Sequence, residues 1–329
     1  MANLLDEASI LLTPTAYDNG SMLAVKPTNG DGDMSFSRNS AATRVNAQGL
    51  VENVASNLPR IDYTGGCGSL LLEPQSTNLY LNSDTLVTQS NATNASSYTV
   101  SFYGTGTITF SGTHTGNLVG TGLNDRVSVT FTATSGTLIS TISGSCTKGQ
   151  LENLTYATSY IPTQGAISTR LRDIANNSGN ASLINSEEGT LYAEIQAPND
   201  NVGGSDKLIT ISDGTINNRV TIGFKNVTNR AIVQVYASGI LQVSYTYIPI
   251  TQENNNKLAF KYKLNNFSAW LNGVNVYNDT SGITPSIGVL NTLSFNRGVT
   301  TNNFYGKTKA VAVFKTALTD AQLTLLTTI

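Results

Sequence analysis

Short segments in which apolar and polar residues alternate, separated by turns, occupy most of the chain after residue 81. Successive side chains of a β-strand point to opposite faces, so a period of two predicts strands that bury one face. Clusters of Gly, Asn and Asp divide the segments, as expected for tight turns. Strands this short and this closely spaced indicate antiparallel sandwiches or jelly rolls. The clearest examples are residues 98–104, 127–132, 190–196, 231–236 and 309–314.

The composition fits β-structure better than disorder. Charged residues are 12% of the 329 residues, about half the usual share. The formal net charge is −2, whereas disordered chains combine low hydrophobicity with a high net charge. No run of Lys or Arg occurs, so we expect neither nucleic-acid binding nor a polybasic membrane-surface segment.

The start of the chain and its cysteines indicate the cellular compartment in which the protein is made. Asp6 and Glu7 stand where a secretory signal would carry positive charge, so we expect a protein made in a cytoplasm. No stretch approaches ~18 consecutive apolar residues, and no membrane insertion is expected. Cys67 and Cys146 are too few for a disulfide scaffold, and we expect both to be unpaired structural thiols.

The pattern divides the chain into four parts. Residues 1–81 contain short apolar runs broken by turns, which predict an irregular β-rich module for anchoring or assembly. Residues 82–166 alternate cleanly and predict a jelly roll. Residues 167–188 are polar and are interpreted as a linker or a long first loop. Alternation resumes over residues 189–329, which predict a second sandwich.

The predicted fold class is therefore all-β, with an irregular β-rich N-terminal module, two antiparallel β-sandwich domains and one short C-terminal helix. The helix is predicted at residues 319–326, where Thr319 and Gln322 stand in a capping-box pattern. No heptads occur, so the sequence excludes a coiled-coil shaft.

Three segments near the start resemble the opening of many structural proteins of tailed bacteriophages. They are residues 36–50, 57–63 and 71–79, with the sequences FSRNSAATRVNAQGL, NLPRIDY and LLEPQSTNL.

A second signature of the same group covers residues 150–152, 156–163 and 169–170. It resembles the end of a jelly roll similar to carbohydrate-binding modules. Residues 189–326 are similar, at the level of the fold, to the laminin-G/concanavalin-like superfamily.

The resemblance implies a non-enzymatic component of a virion, a fibre or decoration protein on the head or tail surface. It implies that the N-terminal module contacts other virion proteins while both sandwiches project outward. We expect residues 1–25 to hold most of these contacts. We also expect a homo-oligomer, a trimer or a dimer, because one gene then supplies symmetric copies.

No catalytic residue is predicted. A Ser-His-Asp triad would have to use His114, the single histidine, which we interpret as an exposed loop or strand residue. A glycosidase needs two carboxylates about 5–10 Å apart, and no strand carries such a pair on one face. Glu187, Glu188 and Glu194 are interpreted as solvated edge charges. A polysaccharide depolymerase, which would use a pair of carboxylates on neighbouring strands, is the remote alternative.

No cofactor and no metal ligand set is predicted. Asp31 and Asp33 stand in a calcium-loop-like stretch, but the positions where an EF-hand requires Gly and Glu are Phe36 and Ala42. Laminin-G-like domains can hold calcium at a loop rim, where Asp213 or Asp279 could serve, and no motif singles them out.

A host-glycan-binding lectin or adhesin is the main alternative function. Sugar binding uses exposed aromatic rings that stack on pyranose faces, with Asn or Asp nearby. Trp270 and Tyr277 flank the hairpin signal Asn272-Gly273, so Trp270, Tyr277 and Asn272 are the candidate glycan contacts. In the opposing interpretation, one group of aromatic side chains lies in the sandwich core and the other lies on ordinary β-sheet surface.

Overall fold

The computed structural model describes residues 4–14, 16–198, 205–227, 229–247 and 249–329. In this part of the chain it contains a short 3-10 helix, Leu4–Glu7, and one α-helix, α1, Asp320–Thr327. The strands are β1 Ile10–Leu12, β2 Tyr17–Asp18, β3 Ser21–Met22, β4 Met34–Ser37, β5 Ala42–Val45, β6 Val51–Val54, β7 Ile61–Asp62, β8 Ser69–Leu72, β9 Ser76–Asn78, β10 Gln89–Thr93, β11 Ser97–Gly104, β12 Thr107–Gly112, β13 Gly116–Val119, β14 Gly122–Thr132, β15 Gly136–Ser143, β16 Cys146–Glu152, β17 Ser168–Arg170, β18 Ile174–Asn176, β19 Glu188–Gln196, β20 Lys207–Ser212, β21 Arg219–Phe224, β22 Ala231–Ala237, β23 Ile240–Tyr247, β24 Asn256–Lys263, β25 Phe267–Leu271, β26 Val274–Asp279, β27 Thr292–Ser294 and β28 Gly306–Phe314.

Two antiparallel sheets form the larger sandwich. One has the order β26-β25-β24-β19-β28-β8-β7, and β1 pairs with β28 as well. The other has the order β23-β22-β21-β20-β27. Alternate residues of each strand point into the space between the sheets, and Leu191, Ala193 and Ile195 of β19 are fully buried there. One apolar core therefore joins both sheets.

The first 81 residues contribute strands to this sandwich. Ile10 of β1 lies opposite Val313 of β28, and Leu72 of β8 lies opposite Gly306 of the same strand. The side chains of Ile10, Leu72 and Met34 are buried in the sandwich core. The segment predicted as an N-terminal module thus shares its core with residues 189–329.

The polar stretch interpreted as a linker also contains strands. β17 pairs with β9, and β18 pairs with β4 in a second sheet of the order β18-β4-β3-β2. Their partners lie about 90 to 140 positions earlier in the chain, and segments of three residues are too short to show alternation. The boundaries at residues 81, 166 and 188 stay predictions.

The jelly roll consists of two smaller sheets that face each other. Their orders are β14-β11-β16 and β10-β15-β12-β13. Phe102, Ile108 and Leu138 are fully buried between them. The predicted all-β fold class with antiparallel sandwiches is confirmed.

Helix α1 covers the outer face of the eight-stranded sheet. Thr319 caps it: its hydroxyl accepts a hydrogen bond from the backbone N–H of Gln322, whose side chain accepts one from the N–H of Thr319. Leu323 and Leu326 pack with Trp270 in a separate apolar cluster. The predicted capping box and helix are confirmed. No described helix is both long and apolar enough to span a bilayer.

Candidate functional site

A cleft of about 670 Å³ opens where three parts of the chain meet. One side is lined by the β5–β6 hairpin and its neighbours. The jelly roll lines a second side through Tyr103, residues 124–126 and residues 156–160. Residues 196–198 and 306–307 of the larger sandwich line the third. The cleft therefore exists only because the jelly roll and the larger sandwich lie side by side.

Charged groups of both signs line the cleft, and several of them are held by partners. Lys307 forms an ion pair with Asp62 at 2.7 Å. The guanidinium of Arg126 donates to the carbonyl oxygen of Thr158 at 2.7 Å and to the hydroxyl of Ser101 at 2.8 Å. These bonds fix the positions of the side chains before any ligand arrives.

Tyr103 is the aromatic residue of the cleft with cations around its ring. The guanidinium carbon of Arg126 lies 5.9 Å from the ring centre, and the amine of Lys148 lies 6.0 Å from it. Burial raises the pKa of Tyr103, Arg126 opposes this rise and Asp62 adds to it. The phenol therefore stays protonated at neutral pH and can donate a hydrogen bond.

A buried ionic network lies behind the cleft. Arg60 pairs with Glu73 at 2.6 Å and with Asp173. Arg170 pairs with Glu73 at 2.9 Å, and Arg38 pairs with Asp173 at 3.1 Å. The three arginine side chains and that of Asp173 are fully shielded from solvent, and that of Glu73 nearly so. Buried charges are stable only when paired, which these contacts provide.

The network holds Glu73 in its ionised form. Burial alone would raise the pKa of this carboxyl, but Arg170, Arg60 and two hydrogen bonds from Ser159 hold it well below its ordinary range. For Arg60, burial alone would lower the pKa, and Asp173 and Glu73 raise it above the ordinary value. Each charge thus stabilises the other within the interior.

A second set of buried hydrogen bonds holds the segment that lines the cleft. Glu152 accepts hydrogen bonds from the hydroxyl of Ser76 at 2.6 Å and from the N–H of Thr158 at 2.9 Å. Gln150 accepts one from the N–H of Ile161 at 2.6 Å. Residues of both bacteriophage-like signatures therefore meet in one buried polar cluster, a pairing that the sequence analysis missed.

The three candidate glycan contacts lie outside the residues that line the cleft. Trp270 is 8% exposed and packs under α1. Tyr277 packs against the core on the other face of the sheet and stacks on Tyr245, with ring centres 4.4 Å apart. Its hydroxyl donates to Asp279 at 2.7 Å, and burial together with Asp279 raises the pKa of Tyr277 to about 12.

Asn272 occupies the turn between β25 and β26. Its φ of 51° lies in the left-handed region, which Asn tolerates better than most residues. Its side chain accepts a hydrogen bond from the N–H of Lys257 at 2.9 Å and donates one to Asn256 at 3.0 Å. Glycan contact by Asn272, Trp270 and Tyr277 stays a prediction, and the buried indole offers little surface for it.

The acidic residues considered for calcium are engaged by their own loops. Asp213 accepts hydrogen bonds from Thr215 and Asn218, and Asp279 accepts them from Ser281 as well as Tyr277. Among the described residues, no group of three or more His, Cys, Asp or Glu side chains could hold a metal ion.

The histidine and the cysteines lie apart from the cleft. His114 is half-buried and stacks on Phe131 at 3.9 Å, and burial lowers its pKa. Cys67 is exposed, Cys146 is buried in the jelly roll, and both are free thiols.

Fold and cleft together define an all-β protein of packed antiparallel sandwiches. No protein-family model and no curated protein matches the chain. Similar solved structures include the carbohydrate-binding module CBM40 of the Ruminococcus gnavus IT-sialidase bound to α2,3-sialyllactose, with 17% identity, a TM-score of 0.36, and 44% of this chain and 84% of that chain covered.

Two others are domain 4 of an extracellular arabinanase from Geobacillus stearothermophilus in complex with arabinotriose, and a heptameric pentraxin from Limulus polyphemus. The first has 15% identity and a TM-score of 0.38 over 53% of this chain and 81% of that one. The second has 11% identity and a TM-score of 0.33 over 43% and 70%. Similarity at this level does not identify a ligand for this chain.

Proposed function

We propose that the chain is a non-catalytic glycan-binding protein whose ligand lies in the cleft. The observation that carries this proposal is the combination of Tyr103, flanked by two cations, with fixed polar groups in a cleft of about 670 Å³. Small-molecule sites typically combine apolar or aromatic surface with a few well-placed polar groups. An oligosaccharide matches such a lining, because each sugar has an apolar ring face and a rim of hydroxyls.

Several side chains that line the cleft are held in fixed positions, which supports binding. Ser159 is fixed by Glu73, Arg126 is fixed by Thr158 and Ser101, and Lys307 is fixed by Asp62. A site that is ordered in advance loses little side-chain entropy when the ligand arrives.

The electrostatics of Glu73 argue against its acting as the acid in hydrolysis. A glycosidase needs one carboxylic acid whose pKa is raised, so that it can protonate the leaving oxygen. The pKa of Glu73 is instead held far below its ordinary range, and Asp62 is paired with Lys307. Glu73 therefore stays ionised and cannot act as this acid.

The test is oligosaccharide binding by the full chain, measured on a glycan array and then by calorimetry. Tyr103→Ala should weaken binding about 3–10-fold, because it removes an aromatic contact worth ~0.5–1.5 kcal/mol. Tyr277→Ala serves as the matched control and should leave the affinity unchanged. The opposite pattern would place the ligand at the β25–β26 hairpin, and the absence of any glycan ligand would contradict the proposal.

We also propose a place on a virion surface, as a fibre or decoration protein on the head or tail. Support comes from the sequence resemblance in residues 36–79 and 150–170. Most contacts are expected within residues 1–25, of which residues 1–3 and 15 lie outside the described part. Ile10–Leu12 are buried in the chain's own sheet, whereas Leu23 and Val25 are 39% and 46% exposed.

The virion proposal therefore assigns neighbour contacts to Leu23 and Val25. Replacing both with Ser should lower incorporation into particles and reduce a trimeric or dimeric solution mass, without unfolding the chain. Incorporation and mass equal to those of the wild type would contradict this assignment. Imaging of the assembled particle would distinguish a head location from a tail location.

A further inference from the structure

Among the residues that the structure describes, four arginine side chains are fully buried, and three of them have anionic partners. Arg38, Arg60 and Arg170 share the carboxylates of Glu73 and Asp173. Arg219, at the start of β21, is the fourth and is 0% exposed. In the described part of the chain, no carboxylate lies within ion-pair distance of it.

The hydrogen bonds of Arg219 leave one edge of its guanidinium unused. Nη1 donates to the carbonyl oxygen of Ile216, while Nε and Nη2 have no partner. The Nε–H and one Nη2–H point in the same direction, so they can bind two oxygens of one anion. The unused donors are therefore those of a bidentate edge.

Neighbouring residues position the guanidinium of Arg219. It lies over the ring of Tyr236, 3.6 Å from its centre, and Tyr236 is the cross-strand neighbour of Arg219. Burial lowers the pKa of Arg219 and the nearby charge of Arg297 lowers it further, while Tyr236 opposes this fall. A second cation beside a buried unpaired cation is unfavourable unless an anion joins them.

The loop that carries Arg297 is fixed against the neighbouring turn. Gly298 has a φ of 92°, and a Cβ there would lie 2.5 Å from the carbonyl oxygen of Thr215. Only glycine permits this close approach, so the loop is held against the turn in which Ile216 accepts a hydrogen bond from Arg219. The site is also near the surface, because Ile216 is 43% exposed and Tyr236 and Arg297 are half-buried.

We propose that Arg219 and Arg297 bind an oxyanion, with two of its oxygens on the Nε–Nη2 edge of Arg219. The ligand class is a carboxylate, sulfate or phosphate group carried by a larger molecule. The site is separate from the cleft. The proposal of anion binding can therefore be tested independently of glycan binding in the cleft.

The test is thermal unfolding of the full chain in low concentrations of sodium glucuronate, sodium sulfate or sodium phosphate. Sodium chloride at matched ionic strength and glucose are the controls. Saturable binding should raise the melting temperature by roughly 2–4 °C at ten times Kd. Comparison of the three anions separates a carboxylate ligand from a sulfate or phosphate ester.

Arg219→Met keeps the volume of the side chain and should abolish the saturable rise. Without anions this variant should melt no lower than the wild type, because it removes an unpaired buried charge. Lys263→Met removes one charge from the opposite sheet, where Lys263 is half-exposed, and should keep the full response.

Arg297→Gln provides a second measurement that leaves the buried arginine in place. It should raise Kd about 5-fold, as expected for the loss of one charge-assisted contact. A shift that persists in Arg219→Met would show an adventitious ion only. No saturable shift with any of the three anions would overturn the proposal.

Discussion

Ser159 donates two hydrogen bonds to Glu73, one from its backbone N–H at 2.7 Å and one from its hydroxyl at 2.6 Å. The two residues are 86 positions apart in the chain. Both also line the cleft. The shape of the cleft therefore depends on the ionic network behind it, and the network can be tested by its effect on stability.

Glu73→Gln should lower the free energy of unfolding by about 3–5 kcal/mol, as is typical when one partner of a buried ion pair is removed. The change leaves Arg60 and Arg170 without the carboxylate that they share. Urea unfolding at pH 7 measures the effect.

Glu52→Gln is the matched control, because it breaks the partly exposed Arg44–Glu52 pair at 2.6 Å. Exposed pairs contribute ~0–1 kcal/mol, so this variant should unfold nearly like the wild type. Equal losses of unfolding free energy in the two variants would show that the buried network stabilises the fold no more than an exposed ion pair does.

The stability that Glu73 supplies should depend on pH. Its pKa is lowered by folding, so its contribution is complete well above the ordinary value of 4.5 and is lost as the pH falls below that value. The difference between the wild type and Glu73→Gln should shrink by roughly 2 kcal/mol from pH 5 to pH 3. Urea midpoints over this range measure it, and a constant difference would contradict the lowered pKa.

Leu323→Ala should destabilise the larger sandwich by about 2–5 kcal/mol, because this fully buried side chain fills the space between α1 and the sheet. Leu325 lies on the same helix and is 68% exposed. Leu325→Ala should therefore change stability by no more than ~0.5 kcal/mol. Equal melting temperatures for Leu323→Ala and the wild type would show that α1 is dispensable.

Chelators and reductants should leave the melting temperature unchanged. The sequence predicts no metal ligand set, and Cys67 and Cys146 are free thiols in different environments. Calorimetric scans with EDTA or with a reductant test this expectation. A fall of several degrees with EDTA would indicate a calcium site, with Asp213 and Asp279 as the first residues to examine.

The local features of the fold could be predicted from the sequence, because they depend on neighbouring residues. Alternation over residues 190–196 predicted most of β19, and the spacing of Thr319 and Gln322 predicted the cap of α1. The pairing of β1 with β28 could not be predicted, because about 300 positions separate Ile10 from Val313. Strands of three residues carry too little pattern to identify such a partner.

The candidate site could not be predicted from the sequence for a related reason. Arg38, Arg60 and Arg170 stand in polar or turn-rich segments that resemble exposed loops, and only the fold brings them to Glu73 and Asp173. One signal was available. Charged residues are scarce in this chain, and Arg60 and Glu73 each stand between a proline and an aliphatic residue, in Pro59-Arg60-Ile61 and Leu72-Glu73-Pro74.

The pairing of β1 with β28 also limits when the protein can fold during its synthesis. Residues 10–12 leave the ribosome long before residues 311–313, their partners, and at ~5–20 residues per second the delay is roughly 15–60 s. The jelly-roll strands, β10 to β16, all lie within residues 89–152 and can assemble meanwhile. The larger sandwich cannot be completed until β28, residues 306–314, has left the ribosome. A prematurely released chain would expose the unpaired edges of β1 and β8 to aggregation.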